Sequence, residues 1–71
     1  MPISELAAIG QVIRQRRETL GLTQEYLADV SGVGLRTIRE IERGNGKSLI
    51  LLMKVADTLG LSLHLKIKEI S

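Results

Sequence analysis

Residues 21–44 read GLTQEYLADVSGVGLRTIREIERG. The stretch holds two short helical patterns joined by a glycine-rich turn. Thr23 is a good N-cap for the first. Leu22 before the cap and Leu27 four residues after it have the spacing of a hydrophobic staple. That helix ends near SGVG, residues 31–34, after about two turns, so packing must hold it. The second runs from Leu35 to Arg43 and stops at Gly44, with Gly34 at its N-cap. Val33 and Ile38 repeat the staple spacing. Glycines at 32 and 34 permit a tight turn, and the small Ala28 lets two helix axes approach closely. This spacing suits a helix-turn-helix, and it suits an ordinary helical hairpin equally well.

Outward from this pair, a longer helix precedes it. Ser4 can cap it, Leu6, Ile9, Ile13 and Leu20 form its apolar stripe, and Gly21 ends it. After it come the turn GNGK, residues 44–47, and a cap at Ser48. The last helix spans Leu49 to about Leu59, with Gly60 as its stop. Leu49, Leu52, Ala56 and Leu59 suffice for its core face. Ile50, Leu51 and Met53 are then surplus, which predicts an interface with a second chain. The tail LSLHLKI, residues 61–67, alternates apolar and polar residues with the period of a half-buried β-strand. No other strand is in view to pair with it. The expected partner is the same tail of a second subunit, through Leu61, Leu63, Leu65 and Ile67.

Two charges lie on apolar stripes. Arg17 is four residues past Ile13, and Glu42 is four past Ile38. A charge on a buried face needs a partner. The pattern predicts a salt bridge between Arg17 and Glu42, tying the first helix to the end of the third.

Composition sets the bounds. With 71 residues and no cysteine, the chain allows one domain and no disulfide or thiolate zinc site. Oligomerisation is the staple left to so small a core. The N-terminus lacks a secretory signal's basic region, and no run has the length of a membrane span, so a cytoplasmic protein is expected. The net charge is only +2. Arg14, Arg16, Arg17, Arg36, Arg39, Arg43 and Lys47 make a nucleic-acid footprint if they gather on one face. An enzyme is not expected. There is no thiol nucleophile, the single His64 has no catalytic partner in view, and GNGKS is too short for a phosphate-binding Walker loop. No cofactor or metal site is expected.

Residues 9–44 resemble the lambda-repressor-like, or XRE-family, helix-turn-helix proteins. The resemblance is carried by Ile9, Ile13, Arg14 and Arg17, by Gly21 to Gln24, Leu27 and Ala28, by Gly32 and Val33, and by Ile38, Glu42, Arg43 and Gly44. It implies an all-α fold of four to five short helices. The DNA-binding domain would be residues 1–60, and residues 61–71 a dimerising strand and tail. It implies that the Leu35–Arg43 helix enters the major groove of double-stranded operator DNA, with Arg36 as the best base reader. Thr37 would touch a thymine methyl or a phosphate. Glu40 would accept from cytosine or pair with Arg36. Gln24, next to the capping Thr23, would meet a phosphate, and Arg39, Arg43, Asn45 and Lys47 would do the same. This chain departs from the family at Gly34, which permits close backbone approach, and at Leu35, which can read only methyl groups.

Within the family, the apolar last helix and strand-like tail are most similar to HipB-like antitoxins. That implies a bacterial homodimeric repressor of its own operon, which also binds a toxin such as a HipA-like kinase. A stand-alone or phage-type repressor and a protein-interaction module without DNA binding are the alternatives.

Overall fold

The computed structural model describes residues 4–65. Local chemistry sets the helix boundaries. The helices are α1 (Ser4–Thr19), α2 (Gln24–Ser31), α3 (Leu35–Glu42) and α4 (Leu49–Thr58). Thr23 is extended, and its Oγ1 accepts the Tyr26 N–H at 3.0 Å. Ser48 Oγ accepts the Leu51 N–H at 3.2 Å and starts α4. Gly34 opens α3 with no side-chain cap. Ser4 is the first residue of α1 and not the residue before it, so the cap expected there falls one position late.

Three helices end in the same way. After α4, the Gly60 N–H donates to the Asp57 carbonyl at 3.0 Å and the Leu61 N–H to the Ala56 carbonyl at 2.8 Å. These paired bonds make a Schellman closure, which needs a left-handed residue at its turn. Gly60 supplies it, with φ of 74°. Gly21 and Gly44 close α1 and α3 by equivalent pairs of bonds.

The core is aliphatic. Ile13 of α1, Leu27 of α2, Val33 of the turn, Ile38 and Ile41 of α3, and Leu52, Val55, Ala56 and Leu59 in and just after α4 are all buried. Ile9, Leu22, Ala28, Leu51 and Leu61 pack against them. α1 crosses α3 at the buried Gly10. A Cβ there would meet the Ile41 carbonyl oxygen at a distance no real Cβ tolerates, and the Glu42 carbonyl oxygen at 2.9 Å.

Several expected core positions are corrected. Leu20 is 45% exposed because α1 has already ended at Thr19; Leu22, carried inward by the Gly21 closure, takes its place. Leu49 is 64% exposed, and the inward face of α4 begins one turn later, with Val55 buried in its stead. Leu51, expected as surplus for an interface, packs partly on its own core. Leu61 does the same, because the Schellman closure folds it back over α4.

Among the described residues there is no β-strand. Residues 61–65 run on without a ladder, and Leu65 is fully exposed. Ile67 lies outside the described residues. No helix is long and apolar enough to cross a membrane among the described residues.

Candidate functional site

α3 has an inner and an outer face. Ile38 and Ile41 point into the core, while Arg36 and Arg39 are exposed and Leu35, Thr37 and Glu40 are half-buried. Arg43 follows as the exposed C-cap residue. Gly34 leaves the start of α3 open, since a Cβ added there would meet nothing within 4 Å.

The orientation of this outer face is set by a buried polar network. Arg17 Nε donates to Glu42 Oε2 at 2.7 Å and Nη2 to Glu42 Oε1 at 3.1 Å, a bidentate pair. Arg17 Nη1 donates to the Leu22 carbonyl at 2.7 Å. Gln24 Nε2 completes the set, donating to Glu42 Oε1 at 3.1 Å. The two charged side chains are 11% and 4% exposed. The hydrogen bond to Glu42 raises the Arg17 pKa above its usual value, against the opposing effect of burial. The network joins α1, the start of α2 and the end of α3 at one point. A buried pair of this kind adds little net stability, but losing one partner costs about 3–5 kcal/mol. The network fixes the end of α3 to α1 and to the start of α2 through four hydrogen bonds.

Two shallow depressions flank α3. One, of about 320 Å³, is lined by Arg36, Thr37, Glu40, Asn45, Gly46, Lys47, Ser48 and Leu51. The other, of about 330 Å³, is lined by Arg14, Arg17, Gln24, Arg39, Glu42 and Arg43. Cations therefore border α3 on both sides, although the net charge of the chain is small. Among the described residues, Arg36 and Glu40 share no ion pair, so the local pairing expected for them is not formed and Arg36 stays available. Arg39 approaches Glu25 at 3.9 Å, with both side chains well exposed. Such a contact is weak.

The network gives Gln24 a further role, and capping occupies Thr23 as expected. Gln24 was expected at a phosphate, yet its amide nitrogen is held by Glu42, leaving its oxygen and second N–H. Thr23 Oγ1 is engaged as the α2 cap. The close approach at Gly10 was not foreseen from the sequence, and Arg16, counted there among the cations of a possible footprint, has a structural contact instead. Arg16 Nε donates to the Leu59 carbonyl at 2.9 Å and secures the end of α4. A glycine in the interior of a helical pattern was the available signal for the α1–α3 crossing. Arg16 carried no such signal. Among the described residues, no group of three His, Cys, Asp or Glu side chains is placed to hold a metal ion.

Comparison with known proteins agrees with this geometry. A family model described as helix-turn-helix matches residues 13–65. An uncharacterized HTH-type transcriptional regulator of Methanothermobacter thermautotrophicus is 48% identical over 50 residues, covering 69% of this chain and 72% of that protein. The uncharacterized HTH-type transcriptional regulator y4mF of Sinorhizobium fredii is 40% identical over 60 residues, covering 83% of this chain and 79% of its own.

Proposed function

The chain belongs to the XRE-family helix-turn-helix proteins, and from that premise we propose that it is a transcriptional repressor binding operator DNA as a homodimer, with α3 in the major groove. The observation that carries the reading is the outer face of α3. Arg36 is exposed and makes no ion pair among the described residues, Arg39 and Arg43 continue the cationic edge, and the buried Arg17–Glu42–Gln24 network ties the end of the helix to α1 and α2 behind them. Arg36 reads a guanine through its forked donors. Lys47, Asn45, Arg39 and Arg43 contact phosphates on either side, and the remaining polar atoms of Gln24 do so at the start of α2. The names of the two relatives, both HTH-type transcriptional regulators, support regulation as the purpose of the binding.

The homodimer reading rests on unused apolar surface. Ile50 is 73% exposed, Met53 51% and Leu65 fully so. Ile50 and Met53 lie on α4, and Leu65 in the tail that follows it. An apolar groove of about 400 Å³ beside the tail, lined in part by Ile9, Val12 and Leu63, adds to that surface. Two subunits joined there present two α3 helices to half-sites about one DNA turn apart. The antitoxin role, with a toxin such as a HipA-like kinase as second partner and the bacterial cytoplasm as its place, rests on the resemblance to HipB-like proteins.

The test is fluorescence anisotropy on the gene's own upstream DNA, with a shuffled duplex of equal length beside it. Arg36→Ala should cost about 1–3 kcal/mol on the upstream DNA and much less on the shuffled duplex. Equal losses on both would make Arg36 a phosphate contact. No binding to either duplex would leave the protein-interaction reading. Co-purification of a toxin expressed from the same operon separates an antitoxin from a stand-alone repressor.

A further inference from the structure

We propose that α1 also takes part in DNA binding, through Arg14, which contacts a backbone phosphate shared with Arg39 and Arg43. This rests on the reading that α3 lies in the major groove. Helix α1 is otherwise a scaffold helix, and nothing in its sequence sets Arg14 apart from its neighbours Arg16 and Arg17. The tertiary structure separates the three. Arg17 turns inward to Glu42, and Arg16 turns to the end of α4. Arg14 and Arg17 both line the depression bordered by Arg39 and Arg43 beside α3, and of the two only Arg14 is not bound to Glu42.

The electrostatics of that depression favour an anion. Four guanidinium groups line it, against a single carboxylate, Glu42. Both Glu42 oxygens are already taken by Arg17 and Gln24, so the acid is not free to neutralise the other cations. The remaining acids nearby are weak competitors. Arg14 touches Glu18 through one contact of 3.4 Å, with both side chains more than half exposed, and Arg39 reaches Glu25 only at 3.9 Å. A phosphate diester displaces both contacts at little cost. The depression opens beside the outward arginines of α3. A ligand that runs along α3 and carries evenly spaced monoanions meets it, and duplex DNA is such a ligand. The contact carries no sequence information.

The experiment measures affinity for the upstream duplex and the shuffled duplex between 50 and 200 mM salt. It compares the wild type with Arg14→Gln, Arg14→Lys and Arg36→Ala. Loss of one phosphate contact lowers the slope of log affinity against log salt by about 0.9. Over a fourfold range of salt, that makes the wild-type advantage over Arg14→Gln shrink by about 3.5-fold. The loss should be the same on both duplexes, and Arg14→Lys should keep most of the slope. An unchanged slope for Arg14→Gln, with Arg36→Ala still sequence-selective, overturns the role of Arg14 and leaves the α3 reading intact. An Arg14 effect without Arg36 selectivity upholds the phosphate contact and counts against base reading by Arg36. Absence of binding to either duplex overturns both. Melting in inorganic phosphate and in chloride at matched ionic strength separates the sources of the anion. The DNA assignment expects no Arg14-dependent stabilisation by phosphate. Such stabilisation, with an unchanged DNA slope, would make the depression a free-anion site.

Discussion

Gly10→Ala should destabilise this protein, although the same change on an exposed helix stabilises. In a helix interior, alanine is favoured over glycine by about 1 kcal/mol. At Gly10 that gain meets a backbone obstacle. The new Cβ would collide with the Ile41 carbonyl oxygen and come within 2.9 Å of the Glu42 carbonyl oxygen. Real Cβ atoms essentially never approach closer than 3.0 Å, and the opposing atoms are main chain, so no side-chain rotation relieves the clash. α1 and α3 must part by roughly half an ångström or more, which also loosens the turn that carries Glu42. Overpacking of this kind costs about 1–3 kcal/mol. A rigid backbone contact places Gly10 at the upper end, so the net loss after the propensity gain is about 2 kcal/mol. For a domain of this size that lowers Tm by ~8–16 °C. Thermal melts followed by circular dichroism measure it, with Gln11→Gly and Gln11→Ala on the exposed neighbouring position as the calibration. The Gln11 pair should favour alanine by about 1 kcal/mol. A Gly10→Ala protein that melts at or above the wild-type temperature would refute the close crossing of α1 and α3.

The other predictions concern the buried network and the tail. Glu42→Ala should cost about 3–5 kcal/mol in denaturant melts, since it strands Arg17 in the interior and frees Gln24. Arg17→Met combined with Glu42→Leu should recover most of that loss, and a double change as costly as the two single ones summed would refute the pairing. Because the Arg17 pKa is raised on folding, its contribution is complete below the unfolded value and is lost only as pH rises through the higher folded one. The Arg17→Met penalty should therefore be the same at pH 7 and pH 10. For the dimer, the informative truncation ends after Leu61, since Leu61 is needed to close α4. Sedimentation should find the full chain dimeric and the truncated chain monomeric. A truncated protein that still sediments as a dimer would remove the tail from the interface and leave the exposed face of α4.

Much of the molecule was legible from residues 21–44 and their neighbours. Caps at Thr23 and Ser48, stops at Gly21, Gly44 and Gly60, and the apolar stripes of α2 and α3 are all local signals. Each acts within a few residues of the chain, through one hydrogen bond or one left-handed glycine, and so can be read without knowing what lies across space. The pairing of Arg17 with Glu42 was also within reach, because two charges on two buried stripes leave few ways to be satisfied. Surplus was harder to judge. Leu20 and Leu49 carry the stripe period of buried residues but lie where, among the described residues, no neighbouring element covers them. Leu51 and Leu61 looked spare but are partly used by the core.

The sequence by itself therefore determined which segments are helices, where they start and stop to within a residue or two, and which two charges must meet. The tertiary structure alone decided how closely α1 crosses α3 at Gly10, that the Gln24 amide serves Glu42, and that Arg14 lines the groove beside α3 while Arg16 turns to the end of α4 and Arg17 is held by Glu42. The physical reason is range. Capping and chain reversal are settled within one helical turn. Burial, close approach and the gathering of like charges depend on crossing angles between segments far apart in the chain, from 18 residues for Gln24 and Glu42 to 43 for Arg16 and Leu59, and those angles follow from how the whole core packs.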